Sequence, residues 1–324
     1  MHRNLMQGFL TSFQLRTRQA LSTWQTGNHY EMLAEMRKIA LLILVDCLFG
    51  ADFTPYLQSL WHSILRTLAY ISPGLWLIFP DLPRFGYQAA IAKVDGYLFS
   101  LIQHRRTHPI AGDDLLSLLI AAGLDDRLIR DQLLTMLIAG HDTSTALLAW
   151  ALYCLGKSPD HLEKVAAEVR AVPLENPFSL DDLKSFTTLE WVLQETLRLY
   201  PPIHAGNRLT NRAISFNGFT IPAHQRVIYS IYLTQRHPDF WQSPNQFMPE
   251  RFLQRPAAWT YLPFGGGERI CIGYLFAQIE AKAVLATLLR EWQVQLLPQR
   301  VSLHMGATLE PRPGVRMKVT QIAR

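Results

Sequence analysis

The stretch FGGGERICIG, Phe264 to Gly273, decides how the rest of the chain is read. Three consecutive glycines let the backbone approach itself closely, and Cys271 follows just before an apolar helical run, YLFAQIEAKAVLATLL. A cysteine there sits at the start of a helix, whose free N–H groups, together with Arg269, favour a thiolate over a thiol. Two chemistries stay open, a nucleophile or a single axial ligand to a metal. Cys47 and Cys154 are too distant in sequence to complete a metal knuckle or a fully paired disulfide set, so a reducing compartment is expected. One cysteine supplies one ligand, and a planar macrocycle would bring the others.

Outward from that loop, composition narrows the class. The 324 residues are 49% hydrophobic and 18% charged, enough for a large buried core, which excludes disorder as the main state. Thirty-one Lys plus Arg against 26 Asp plus Glu leave +5, with the basic residues scattered rather than grouped with aromatics, so no nucleic-acid partner is expected. The opening MHRNLMQGFLTSFQLRTRQ lacks the apolar run and small-residue cleavage site of a secretory leader. IALLILVDCLFG is too short to span a bilayer and carries Asp46, so no transmembrane segment is expected. The expectation is a soluble, cytoplasmic monomer.

Apolar residues recur at helical spacing in Tyr30 to Leu48, Leu57 to Leu68, Tyr87 to Arg105 and Asp113 to Ala122, which predicts a helical first half. Tyr70 to Phe85 breaks that period with Pro73, Pro80 and Pro83 while keeping Trp76 and Phe79, and either packs in the core or folds over a greasy pocket. Asp126 to Leu155 is apolar on nearly every face, which marks a central helix buried all round. Ser158 and Pro159 start a further helix to Arg170, with Glu163 and Glu168 placed on its solvent side. Another, from near Leu180 or Thr187, ends at Pro201-Pro202. Asn207 to Ser230 reads as a small sheet or hairpin, Gln235 to Phe264 as an irregular segment held by side chains, and the end as a helix over Gly273 to Glu291 followed by strands near Val294 to Leu297 and Val315 to Gln321.

Phe264, Gly265, Gly267, Arg269, Cys271 and Gly273 match, in order and spacing, the haem-binding signature of the cytochrome P450 family, and the chain resembles that family over nearly its whole length. The resemblance implies a mainly α fold with small β sheets, lacking the N-terminal part that members normally carry. It implies one domain over 1–324, with distal helices in 1–171, including an oxygen-binding helix at 126–155, and a propionate-binding, supporting and cysteine-ligand region in 172–324. Cys271 becomes the iron ligand, Arg269 a haem propionate partner and Phe264 a shield of the proximal face. Gly267 and Gly273 would let the backbone turn around sulfur. A thiolate pushes electron density toward iron and assists O–O cleavage.

Five further matches support this resemblance. Glu195 and Arg198 look like the family's Glu-x-x-Arg pair, and Arg251 in FMPERF like the arginine that completes its buried charge network. PPIHAGNR resembles the stretch carrying the second propionate arginine, here Arg208. YLTQRHPDFW matches as well, but Gln235 stands where histidine is common, which puts one supporting contact in question. AGHDTS resembles the oxygen-binding signature: Ala139 and Gly140 leave room for O2, Thr143 holds oxygen or water, and Asp142 relays protons. On physical grounds alone Thr143 can equally bond the carbonyl four residues back and Gly140 ease helix packing, with His141 packed or bonded. MHRNLMQGF resembles the closing part of a helix that contacts a propionate, a contact Arg3 would retain.

The resemblance therefore implies a haem-thiolate monooxygenase using haem b and O2 on a lipophilic substrate such as a fatty acid or terpenoid, closest to bacterial and cyanobacterial members. The chain has no room for a fused flavin or iron–sulfur domain, so a separate ferredoxin or flavodoxin-type electron donor is expected, met by a basic proximal face. The alternative is a truncated haem-binding remnant without turnover.

Overall fold

The structure, a computed structural model, describes residues 3–71, 84–110, 114–174 and 176–322, without the side chains of 3–5 and 71. Pro73, Trp76, Phe79, Pro80 and Pro83, and the side chain of Arg3, lie outside the described residues. Helix α1 (Arg3–Leu21) leads to strand β1 (His29–Glu31), then helices α2 (Met32–Phe49), α3 (Leu57–Ile71), α4 (Tyr87–Thr107) and α5 (Leu115–Ala121). The central helix α6 (Asp126–Lys157) follows, then α7 (Pro159–Arg170), α8 (Leu180–Ser185) and α9 (Thr187–Leu199). Strands β2 (Ala205–Leu209), β3 (Ile214–Phe216), β4 (Phe219–Ile221) and β5 (Arg226–Ser230) precede the short helix α10 (Ile231–Thr234). After the irregular stretch come α11 (Tyr274–Glu291), β6 (Trp292–Leu296), β7 (Ser302–Met305), β8 (Leu309–Arg312) and β9 (Arg316–Gln321). The fold is mainly α with small sheets.

The all-round apolar character of α6 is explained by its neighbours. Residues from Ser144 to Leu152 are all buried, packed against α2 on one side and α9 and α11 on others. Two apolar clusters meet along this axis. One joins Leu10 and Phe13 of α1, Ile43 of α2, Leu148 of α6 and Val284 of α11; the other joins Leu41 of α2, Ile64 of α3, Leu98 of α4 and Leu133 of α6. Helices that bury several faces at once need no amphipathic pattern, and their burial is what excludes water from the middle of the molecule.

Three features depart from the sequence expectations. The helix that holds the described part of MHRNLMQGF does not close there but runs on to Leu21, with Phe9 and Phe13 setting their rings edge-on against Phe276 of α11. Tyr30 lies in a strand, not a helix: β1 pairs with β9, and the Glu31 carboxylate caps α2 by accepting from Leu33 N and Ala34 N, so the helix starts only at Met32. Glu168 is half-buried rather than solvent-facing, and accepts from Thr188 N at 2.7 Å and Leu189 N at 3.2 Å, capping α9 in place of the missing side-chain cap at Phe186.

The sheets hold the chain's late segments against its helices. Strands order as β1-β9-β6 in the largest, all antiparallel, while β2 pairs β5, β3 pairs β4 and β7 pairs β8. The β7–β8 hairpin, which carried no strong signal in sequence, is docked at its Leu309. That residue's N–H donates to Pro202 O and its carbonyl accepts from Trp150 Nε1, both at 2.9 Å.

Candidate active site

The cysteine loop is shaped by two glycines. Gly265 and Gly267 have φ of +74° and +68°, a left-handed conformation that residues with a Cβ adopt only at a cost. Their turns let Cys271 N donate to Phe264 O at 2.9 Å, which closes the loop and leaves the Cys271 side chain exposed and free. Gly273 has a different part from the one expected: its φ of −89° is ordinary, and it is the N-cap residue of α11, with space for a Cβ 3.9 Å from Cys271 Sγ. Phe264 stands partly buried beside the loop, its ring 6.3 Å from that of Tyr274. Arg269 and Arg208 are both exposed and have no carboxylate partner among the described residues. Arg208 donates only to Asn207 O and lies over the Tyr229 ring.

The charged trio behind the loop is brought together. Arg198 forks onto Glu195 through Nε to Oε2 at 2.7 Å and Nη2 to Oε1 at 2.8 Å, and Arg251 Nε donates to Glu195 Oε1 at 3.0 Å. Glu195 and Arg198 are fully buried. Two buried charges survive only when each remaining donor and acceptor is met. Arg198 meets this by donating to the carbonyls of Gln235, Pro244 and Gln246, and Glu195 also accepts from Met248 N. The irregular segment is therefore strapped to α9 by backbone carbonyls, with Trp241 beneath both guanidinium groups.

Gln235 makes the contact that the sequence had put in question. Its Nε2 donates to the carbonyls of Leu197 and Arg198 at 2.9 and 3.1 Å, and its Oε1 accepts from Leu262 N at 2.7 Å. A primary amide offers two donors where an imidazole N–H offers one. The amide thus clasps the end of α9 to the approach to the cysteine loop.

On α6 the four singled-out residues point different ways. Ala139 is exposed and Thr143 half-buried, one turn apart on an open face that also carries the exposed Thr135, so α6 is buried all round only from Ser144 onward; Thr143 Oγ1 donates to Ala139 O at 2.9 Å. Gly140 instead meets α2: a Cβ there would overlap Leu44 Cδ1, so the missing side chain serves helix packing. Asp142 turns away from Thr143 into a buried cluster, with Oδ1 on Arg37 Nη2 at 2.9 Å and Oδ2 on Thr308 Oγ1 at 3.0 Å. His141 is fully buried, its Nδ1 2.6 Å from Leu137 O, and burial pushes its pKa down, so it is held neutral in the helix packing.

Sequence reasoning passed over Glu280. This carboxyl is buried between α11 and α6, where Ser144 Oγ donates to it at 2.6 Å, and burial pushes its pKa up to about 8. The signal that could have found it was an acid inside the apolar run of α11. Its bond pins the helix that follows Cys271 to the residue beside Thr143, so the sulfur loop and the open face of α6 are carried on two elements fixed to each other. Arg37, Thr308 and Glu310, which surround Asp142, gave no local signal at all.

Comparison with known proteins matches this architecture. The sequence profile of the family described as "Cytochrome P450" fits residues 5–315. Putative cytochrome P450 137 of Mycobacterium tuberculosis is 31% identical, covering 98% of this chain and 68% of its own length. Putative cytochrome P450 120 of Synechocystis sp. is 34% identical over 92% of this chain and 69% of its own. Cyclooctat-9-en-7-ol 5-monooxygenase of Streptomyces melanosporofaciens is 29% identical over 87% and 65%. The crystal structure of the cytochrome P450DA heme domain superposes with a TM-score of 0.89 at 25% identity, over 99% of this chain and 75% of that one. The chain belongs to the cytochrome P450 family, a family of haem monooxygenases in which haem is the cofactor and O2 the co-substrate. Among the described residues, no helix is long and apolar enough to cross a membrane.

The residues present fit that group. An exposed sulfur lies among exposed apolar side chains, Ile270, Leu275 and an 89% exposed Ile272, and the uncovered Ala139–Thr143 face of α6 lies just before the fully buried run that begins at Ser144. Exposed apolar surface of this kind marks a ligand site. A planar apolar ring would cover it, and the exposed Arg269 and Arg208 would be available to that ring's acidic substituents.

Proposed function

We propose that this chain is a haem-thiolate monooxygenase that inserts one oxygen atom from O2 into a lipophilic substrate such as a fatty acid or terpenoid. The observation that carries the reading is the free Cys271, held on a loop turned by Gly265 and Gly267 and tied through the Glu280–Ser144 bond to the open Ala139–Thr143 face. Haem bound through Cys271 supplies the oxidising chemistry. The chain's own residues do the rest. Phe264 and the loop backbone shelter the sulfur, and Arg269 and Arg208 hold the propionates. Thr143 offers a hydroxyl and Ala139 a small side chain on the distal face. Asp142 holds or hands on a proton at its carboxyl oxygens. The Glu195, Arg198 and Arg251 network keeps the loop in register.

The lipophilic substrate class is supported by the apolar residues of α3 and α4 that pack beside the central helix, and by the relative named for oxygenating cyclooctat-9-en-7-ol. Electrons come from a separate ferredoxin or flavodoxin-type donor, which the net charge of +5 favours if that donor is acidic. The protein works as a cytoplasmic monomer. A second reading is a haem-binding chain without turnover; substrate-dependent product formation with a reductase system separates the two.

The deciding experiment is haem reconstitution followed by spectroscopy of the reduced carbonyl complex, beside Cys271→Ala. A thiolate-type band in the wild type, absent from the variant, is expected. The same spectrum in both would place the iron on another ligand and end the monooxygenase reading.

A further inference from the structure

The arm built from β2 to β5 is clasped at its middle by Thr210. Its N–H donates to Gln225 O at 3.0 Å, its Oγ1 donates to Pro222 O at 2.7 Å, and its carbonyl accepts from His224 N at 2.7 Å. Beyond the clasp, β3 and β4 pair with Ile214 opposite Ile221, Ser215 opposite Thr220 and Phe216 opposite Phe219. Asn217 and Gly218 join the strands with φ of +47° and +80°, the left-handed pair that a tight two-residue hairpin turn requires. Residues directly across a ladder share a face, and the next pair takes the other. One face of the tip is therefore Ile214, Phe216, Phe219 and Ile221, and the other is Ser215 and Thr220.

That apolar face has no core to serve. Residues 211–220 are exposed without exception, Phe216 to 69% and Phe219 to 72%. At the root of the arm, Leu209 and Ile228 are exposed on the side of the β2–β5 ladder that carries Arg226. Arg212 and Arg226 are exposed as well, and no ion pair engages either among the described residues. From Thr196 to Pro238 the chain contains no aspartate or glutamate. A projecting apolar patch with arginines and no acids on its own segment marks a contact surface, and its charge selects the occupant. A second copy would set two arginine-bearing arms against each other, which is repulsive. A bilayer with anionic headgroups accepts both parts: apolar side chains enter the boundary between headgroups and acyl chains, while the arginines stay with the phosphates. A projecting tip suits a fluid surface, whereas a protein partner would need a groove shaped to it.

We propose that the β3–β4 tip docks this chain on an anionic lipid surface, with Phe216 and Phe219 inserted and Arg212 and Arg226 on the headgroups. The chain rests on the bilayer and does not cross it there. Each strand of the tip has three residues, against the roughly 9–11 that a spanning strand needs, and no described helix is long and apolar enough to cross. The turn and the Thr210 clasp hold the two rings opposite each other in advance, so contact costs little further ordering. This inference goes beyond the monooxygenase reading and does not rest on it, since it uses neither the cysteine loop nor the Ala139–Thr143 face. It adds a location to that reading, because lipophilic substrates dissolve in the same bilayer.

The test is sedimentation of the full chain, after haem reconstitution, with vesicles of phosphatidylglycerol and phosphatidylcholine in equal parts, beside vesicles of phosphatidylcholine alone. Binding to the anionic vesicles is expected, weakened by added salt because exposed charges are screened. Phe216→Ser together with Phe219→Ser should lower the partition coefficient by roughly tenfold or more, since two rings lose their apolar burial. Arg212→Gln together with Arg226→Gln should reduce binding on the anionic vesicles to that on the neutral ones. Ser215→Ala together with Thr220→Ala, on the opposite face, should leave binding unchanged. Amide hydrogen exchange over residues 211–221 should slow when anionic vesicles are added. No binding to those vesicles, binding that the two serines leave intact, or an equal loss with the opposite-face alanines would overturn the proposal. Concentration-dependent dimers that the two serines abolish, without vesicle binding, would give the tip to a second copy instead. The spectrum of the reduced carbonyl complex, taken on every variant, keeps the two readings apart: a thiolate-type band without vesicle binding ends the membrane proposal alone, and vesicle binding without that band ends the monooxygenase reading alone.

Discussion

Gln235 Oε1 accepts a hydrogen bond from the backbone N–H of Leu262 at 2.7 Å, and through it the end of α9 reaches the segment that leads into the cysteine loop. The same amide donates to two carbonyls at the C-terminus of α9, groups that the helix itself cannot satisfy. One fully buried side chain therefore closes three backbone groups.

Gln235→Leu should destabilise the protein by about 3 kcal/mol, since each buried polar group left without a partner costs roughly 1–3 kcal/mol. Gln235→His, which keeps one donor and one acceptor, should lose less. Urea unfolding of the three proteins checks the order; equal midpoints would contradict it.

Glu195→Ala should yield protein unable to retain haem. Removing the shared carboxylate leaves Arg198 buried and uncompensated beside Arg251, a change that costs roughly 3–5 kcal/mol. Haem content per chain after purification is the readout, and recovery of a normal content with a thiolate-type spectrum would refute the assignment.

Glu280→Gln should stabilise the protein at neutral and alkaline pH but not in acid. The carboxyl has its pKa raised from 4.5 to about 8 in the folded state, so folding holds its proton more tightly than the unfolded chain does. The stability linked to that proton is complete below pH 4.5 and is lost as pH rises toward 8. At pH 7 the loss is on the order of 3 kcal/mol, which an amide avoids while still accepting from Ser144. Thermal midpoints of the two proteins at pH 4 and pH 8 should converge and diverge respectively.

Gly140→Ala should cost about 1–3 kcal/mol by overpacking against Leu44. Leu44→Ala in the same chain should return part of that loss, because the space the new methyl needs is then free. A double-mutant cycle on thermal stability measures the coupling.

How much could be read in advance follows the physics of each signal. Helices α3, α4, α6, α7 and α11 announced themselves because burial writes its period into ten or more consecutive residues. Strand β1 did not, being three residues long and held by a partner strand near the other end of the chain. The cysteine loop was legible because glycines at fixed spacing answer to backbone geometry. The bearings of Gly140 and Asp142 were not, since Leu44, Arg37, Thr308 and Glu310 come from separate elements and leave no trace beside AGHDTS. Family resemblance placed both residues toward oxygen, whereas packing turns one to α2 and the other to the hairpin. Glu168 was misplaced for a similar reason: a carboxylate on a helix face reads as solvated until another helix's N-terminus arrives to use it.

The pairing of β1 with β9 has a consequence for biosynthesis. Residues 29–31 are made long before 316–321, the strand that completes their ladder, and Glu31, which starts α2, also receives the Val315 N–H. The helices around β1 therefore wait, with apolar faces uncovered, until residues 315–321 have been made. A nascent chain stalled before Val315 would be a client for chaperones rather than a smaller folded protein.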